Sequence, residues 1–379
     1  MKNLGFGMMR LPVLNGEATN FDYVQLNKMV DAFLGAGFTY FDTSFVYHDG
    51  KSEEAVRKAV VERHPRNSFT IATKFPTFLL QREDQIEPIF TAQLQNLGVT
   101  YVDYYLLHNI QTVNYDGLDG RGGIAKTAHL FDHAKKWKEQ GKIKHLGFSF
   151  HSSSRLLDRV LTEHPEFEFV QIALNPMDWD SKFVQAKACY DVIRKHGKQV
   201  IIMEVLKGGG MARLPAAAEK ILKDAEPDKT VASWSLRFAA GLEGTLAILS
   251  GMSTLAQMED NIKTAKEYAP LTEGENVILF DAVKACRAAG KMPPSTWDKY
   301  AGLTWHGVVL VSILDAYNTM ELQPNPGFTD DGNYLRNALA EFGHEALETA
   351  ADGTFVLPDG TDVSDEINEK IHWVRDRSF

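Results

Sequence analysis

Eight short, almost continuously apolar runs alternate with amphipathic helical patterns over residues 4–267, and this rhythm limits the fold more than any other feature of the chain. The runs lie at 4–8 (LGFGM), 38–44 (FTYFDTS), 69–74 (FTIATK), 101–108, 145–149 (HLGFS), 168–174 (EFVQIAL), 199–205 and 245–250. Between them the spacing predicts helices: Leu26, Met29, Val30, Phe33 and Leu34 recur three and four apart before Gly35 and Gly37 end the pattern. Ser52, followed by two glutamates, reads as the N-cap of the next helix. Further helical patterns fall near 83–97, 126–140, 153–163, 182–196, 228–240 and 254–267.

Strands apolar on both faces belong to a parallel sheet whose outer face is covered by helices, and eight such units favour closure into a (β/α)8 barrel, an α/β TIM barrel. A doubly wound sheet is the alternative. It would carry a G-x-G-x-x-G turn after the first strand, where this chain has MRLPVLNG. The 379 residues exceed one barrel of roughly 250 residues. The rhythm stops after 267, so residues 1–267 are expected to be the barrel and 268–379 a small, mainly helical C-terminal domain. That tail shows a helical stretch (ENVILFDAVKACRAAG), a break at Pro293 and Pro294, an apolar segment at 303–317, a polar loop at 323–332, and helical patterns near 333–350 and 364–376.

The net charge of −10 argues against nucleic acid or an anionic membrane as partner. The apolar piece near the N-terminus is too short for a signal-peptide core or a membrane span, so cytoplasmic residence is expected. Cys189 and Cys286 are the only cysteines, too few for a thiolate metal or iron–sulfur site. His48, Asp49 and His151 lack the spacing of a metal motif, and no metal is expected.

Asp42, Tyr47, Lys74 and His108 each fall at or just past the end of a predicted strand. Taken singly they have bland readings: a turn carboxylate, a loop aromatic, a solvated lysine and a hydrogen-bonded core histidine. In a barrel, however, every C-terminal strand end opens on one mouth, and that mouth is where barrel enzymes work. A tyrosine of pKa about 10 is a poor acid at neutral pH. An ammonium ~4 Å away at an effective dielectric near 20 favours the phenolate by at most roughly 4 kcal/mol. Asp42 would hold Lys74 charged, and His108 would orient a carbonyl, giving a site that polarises C=O without metal or covalent intermediate.

These motifs resemble the aldo/keto reductases over residues 1–265: LGFGMMRLP, FDTSFVYHDGKSE, TK, YYLLH, GFSFH and GMSTLAQMEDNI stand in the expected order. The resemblance implies an NAD(P)-dependent oxidoreductase that interconverts a ketone or aldehyde and an alcohol, with Tyr47 as proton donor. It implies that Ser149 and Gln171 hold the nicotinamide carboxamide and that Met203 packs by the ring. Leu206 and Gly208 would lie by the pyrophosphate, and Gly251, Met252, Ser253, Gln257, Asp260 and Asn261 would face the adenosine end. Three positions depart from the pattern. Phe150 stands where an asparagine is common, Met203 where an aromatic is common, and Gly251 and Gln257 where NADP-preferring members carry basic residues. NADP or NAD therefore both remain, with family habit favouring NADP.

More narrowly, MEVLKGGG and the long tail resemble the branch with a C-terminal ferredoxin-like domain. Cys286 in ACRAAGKMPP is the only thiol there, which implies a degenerate remnant with no iron–sulfur cluster. The partner expected is a small carbonyl or alcohol, recognised by loops 77–84 and 109–124 and by the tail; oligomeric state is open. Two other functions stay in view: a redox-neutral enzyme that keeps its dinucleotide and acts through a keto intermediate, and a non-enzymatic cofactor-binding sensor or subunit.

Overall fold

A computed structural model describes residues 3–118, 120–323, 331–343 and 350–377. Eight parallel strands close into a barrel: β1 (Leu4–Gly7), β2 (Tyr40–Asp42), β3 (Thr70–Phe75), β4 (Val102–Ile110), β5 (Ile143–Phe150), β6 (Phe169–Ala173), β7 (Gln199–Met203) and β8 (Thr245–Gly251). Each strand pairs with its sequence neighbour, and β1 closes on β8 with Leu4 opposite Ile248 and Gly7 opposite Gly251. The (β/α)8 expectation holds at all eight positions.

Side chains sort by the period of two. Tyr40, Ala72, Leu106, Phe169, Ile201, Ala247 and Leu249 form a small cluster of their own, whereas alternate residues such as Phe41, Ile71, Leu107 and Val170 join the larger core shared with the surrounding helices. Gly147 in β5 admits the close approach of β6, because a Cβ there would lie 2.5 Å from the Phe169 carbonyl oxygen.

The helices follow the predicted order with local corrections. The pattern at 126–140 is two helices, Ile124–Thr127 and Leu130–Glu139, separated by His129 in the left-handed region (φ 54°). The pattern at 182–196 starts only at Ala186, since the Ser181 hydroxyl accepts from the amides of Phe183 and Val184 and forms a turn instead. Ser52 is not an N-cap: Lys51 holds that place, and the Ser52 hydroxyl bonds the Met8 carbonyl oxygen and the Thr43 hydroxyl. Helix Ala216–Ala225 was missed at the sequence level.

Beyond helix Leu255–Glu267 come helix Glu273–Ala288, a two-stranded hairpin at residues 304–309, and helices Leu310–Glu321, Asp331–Glu341 and Ser364–Arg375. The apolar stretch at 303–317 is thus a hairpin running into a helix. Most of the predicted loop at 323–332 lies outside the described residues, and its last two residues already belong to helix Asp331–Glu341. Among the described residues no helix is long and apolar enough to cross a membrane.

Candidate active site

Strand ends β2, β3 and β4 bring the four residues together. Lys74 and Asp42 are buried and in contact, with Nζ to Oδ1 at 2.5 Å, and the ammonium also donates to the Thr43 carbonyl oxygen at 2.7 Å. Its Nζ stands 4.7 Å from the centre of the Tyr47 ring. The Tyr47 and His108 rings meet edge to face, 6.1 Å apart, and His108 Nδ1 lies 3.2 Å from the Ser44 hydroxyl. Phe78, 43% exposed on the short turn after β3, covers the other side of the His108 ring at 5.4 Å.

Burial opposes the charge on Lys74, but Asp42 and Tyr47 outweigh it and hold the ammonium above its ordinary pKa. Burial likewise pushes the Asp42 carboxyl up, while Lys74 pulls it back. The segment carrying Tyr47 turns through two left-handed residues, His48 (φ 53°) and Asp49 (φ 51°). His48 pins that turn: its Nε2 accepts from the Leu11 amide at 3.1 Å, and its Nδ1 lies 2.7 Å from the Ala18 carbonyl oxygen. With both nitrogens occupied, His48 is a brace, and no group of three metal-ligating side chains occurs among the described residues.

Across the mouth, Ser149 and Gln171 are register partners on β5 and β6, and Met203 ends β7. The Ser149 hydroxyl accepts from the Asn109 amide at 2.8 Å. Gln171 Nε2 rests 3.4 Å from the Met203 sulfur, while its Oε1 is buried without a hydrogen-bond partner among the described residues. After β7, the Leu206 carbonyl accepts from the amides of Gly209 and Met211, and Gly208 and Gly209 take positive φ. Beyond β8, Gly251 and Gln257 are exposed, Met252 is buried, and the Ser253 amide donates to Gln257 Oε1 at 2.8 Å. Asp260 accepts from the Thr230 hydroxyl at 2.9 Å, and Asn261 donates to the Ser250 hydroxyl at 2.8 Å.

Sequence reasoning missed three participants. Arg10 follows β1, and its guanidinium lies beside Gly251; burial lowers its pKa, countered by Glu204 and Tyr47. A strand-end position in MRLP was the available signal. Lys207, inside the glycine loop, makes a buried ion pair with Asp178 at 2.8 Å, which a sequence separation of 29 does not announce. The third is the tail. Asn337 donates to the His151 carbonyl oxygen at 2.6 Å, Arg155 pairs with Glu341 at 3.0 Å, and Gln323 fills the space a Cβ on Gly210 would need. Trp179 stands edge-on to Phe238, Trp297 donates to the Met292 carbonyl oxygen, and Trp305 and Tyr300 are buried in the tail.

Comparison with known proteins gives the family and the fold. The model of the aldo/keto reductase family matches residues 3–279. An aldo-keto reductase of Strobilurus tenacellus is 28% identical over 187 residues, 48% of this chain and 51% of that one. One from Mycolicibacterium vanbaalenii is 26% identical over 60% of this chain and 75% of its own. The chain spans about half the length of the first of these curated relatives. Among solved structures, an aldo/keto reductase of Klebsiella pneumoniae in complex with NADP and acetate superposes with a TM-score of 0.58 at 18% identity, over 73% of this chain and 89% of that one. The holo form of an aldo-keto reductase from Bacillus halodurans gives 0.56 at 20% identity, over 74% and 91%. The chain belongs to the aldo/keto reductase family.

Proposed function

We propose that the protein is an NAD(P)-dependent oxidoreductase that interconverts a small aldehyde or ketone and its alcohol, with Tyr47 exchanging the proton. The observation that carries this reading is the buried Lys74–Asp42 pair, which sets a fixed ammonium 4.7 Å from the Tyr47 ring centre at the barrel mouth. Tyr47 delivers its proton to the carbonyl oxygen, and the Lys74 ammonium stabilises the phenolate left behind. Asp42 keeps that ammonium charged, and His108, held by Ser44 and Phe78, orients the oxygen. Phe78 and the half-exposed Leu79 supply an apolar wall that sheds water from the reacting carbonyl.

The fit of a dinucleotide rests on Gln171. A buried amide oxygen with no partner costs about 1–3 kcal/mol, which a carboxamide N–H would recover. Ser149 would serve the same group, Met203 would pack beside the ring, Leu206 and Gly208 would hold phosphate, and Gly251, Met252, Ser253 and Gln257 would receive the adenosine end. Asp260 and Asn261 would support that last loop from behind. When bound, the cofactor supplies the hydride. Arg10 provides the cation beside Gly251 that the loop itself lacks, favouring NADP over NAD.

On this reading residues 268–379 form a mainly helical C-terminal domain packed on the barrel, a ferredoxin-like remnant that lost its cluster. Cys286, the only thiol in the tail, is buried on helix Glu273–Ala288 with its pKa pushed up to about 11, and one thiol cannot ligate a four-iron cluster. Buried, free cysteines suit a reducing compartment such as the cytoplasm.

The test is hydride exchange between reduced or oxidised nicotinamide cofactor and a panel of aldehydes, ketones and alcohols. Binding of cofactor with no exchange across the panel would leave the sensor reading; net conversion of a substrate with no cofactor consumed would select the redox-neutral one.

A further inference from the structure

Behind Lys74 lies a second buried carboxylate that the relay described above does not use. Glu53 follows Ser52 on the short helix after Tyr47 and is fully buried. Its Oε1 accepts from the Thr73 hydroxyl at 2.6 Å and from Gln93 Nε2 at 3.0 Å, and its Oε2 from Asn96 Nδ2 at 3.1 Å. Three neutral donors satisfy the carboxylate, and no cation contacts it among the described residues. Burial raises the Glu53 carboxyl above its ordinary pKa, while Thr73, Asn96, Gln93 and the charge of Lys74 pull it back toward the anion.

The cluster reaches the reacting groups by two routes. Gln93 Nε2 also donates to the Lys74 carbonyl oxygen at 3.0 Å, and Gln93 Oε1 accepts from the Tyr105 hydroxyl at 2.5 Å, so the end of β3 is fastened from behind. Ser52 bonds the Thr43 hydroxyl at 2.8 Å, and the Thr43 carbonyl is the second acceptor for Lys74. Ser52 and Glu53 thus tie the turn bearing Tyr47 to the end of β2 and to β3. The second route is the charge itself, felt by Lys74 through a dry interior.

We propose that Glu53 is a positioning residue for the Tyr47–Lys74 pair, whose buried negative charge keeps Tyr47 protonated until a carbonyl arrives. The proposal rests on the proton relay of the preceding section. Lys74 alone would draw Tyr47 toward phenolate in the resting enzyme, where a phenolate has no proton to give. Asp42 and Glu53 together offset that pull. The titratable and charged groups that act on Glu53 are Lys74 on β3, itself paired with Asp42, and Tyr105 on β4, which Glu87 on helix Ile86–Leu97 also faces; around Tyr47 they are Lys74, His108 and Arg10.

The test reads the Tyr47 titration directly, as the tyrosinate absorbance of the wild type minus that of Tyr47→Phe, in the wild-type and E53Q backgrounds. It needs neither substrate nor turnover, so it stands apart from any failure to find carbonyl activity. E53Q should lower the Tyr47 midpoint by roughly one pH unit, the ordinary spread that protein surroundings impose on a side-chain pKa. E53D, which keeps the charge, should lower melting temperature with the midpoint close to wild type. If E53Q folds and its Tyr47 titration superimposes on that of the wild type, Glu53 is only a structural brace and the proposal falls. Folding of E53D but not of E53Q would also support a requirement for charge; failure of both to fold would make Glu53 a determinant of the fold and overturn the assignment.

Discussion

The two halves of the barrel mouth are built differently. On the β2–β4 side most charged and polar groups find partners within the protein: Lys74 has Asp42 and the Thr43 carbonyl, Glu53 has three donors, and His108 sits against Ser44, while Asp42 Oδ2 and Asn109 Oδ1 are buried without one among the described residues. On the β5–β8 side, Gln171 keeps a buried oxygen without a partner among the described residues, and the glycine loop takes its shape partly from tail residues such as Gln323. The first half is held largely by its own contacts, which suits the proton transfer proposed for it. The second leaves the Gln171 oxygen that the proposed cofactor would satisfy. A chemical step is served by fixed dipoles, whereas a binding step draws its free energy from groups left unsatisfied in the empty state.

The sharpest way to break this comparison is Tyr47→Phe. Turnover should fall by about 10²–10⁴-fold, the range for a positioned general acid, with dinucleotide affinity unchanged in a fluorescence titration. A rate within tenfold of wild type would take the proton from Tyr47 and undo the assignment of the first half. Lys74→Met should cost stability as well, about 3–5 kcal/mol in denaturant unfolding, because it strands the buried Asp42 carboxylate. Loss of less than 1 kcal/mol would mean that the pair is not held as the geometry shows.

Gln171→Leu tests the other half with the opposite signature. Removing an unsatisfied buried amide should leave the free protein as stable or more so, while weakening dinucleotide binding roughly tenfold, about 1.4 kcal/mol. Unchanged binding would remove Gln171 from the cofactor site. The smallest effect concerns the seam between barrel and tail. Burial alone would raise the Glu275 carboxyl, but Thr272 and Arg237 outweigh it and bring its pKa down to about 2 from 4.5. Its contribution is therefore complete above pH 4.5 and lost as pH falls through about 2. Acid unfolding of Glu275→Gln should show a shallower loss across that window; an identical curve would mean that the seam is held elsewhere.

Much of this was legible beforehand because it follows from local periodicity. The eight strands are apolar runs bounded by turn residues, and each appears within a few residues of its expected place. The quartet could be read because barrel topology sends every strand end to one mouth. Helix Ala216–Ala225 is amphipathic but short, and its buried residues, Ala218 and Leu222, offer a single large apolar side chain to read. Ser52 read as a cap because the same hydroxyl that caps a helix can instead bond across to β1 and β2, and only packing chooses.

By itself, then, the sequence determined the barrel, the order of its strands and the four side chains at their ends, since each depends on residues close along the chain. Tertiary structure decided the rest. That Glu53 stands behind Lys74, that Lys207 spends its charge on Asp178, that Arg10 lies beside Gly251, and that the tail meets the mouth at His151 and Gly210 are all contacts between distant segments. They depend on which side chains the closed barrel leaves within hydrogen-bond reach, and no one-dimensional pattern encodes that distance.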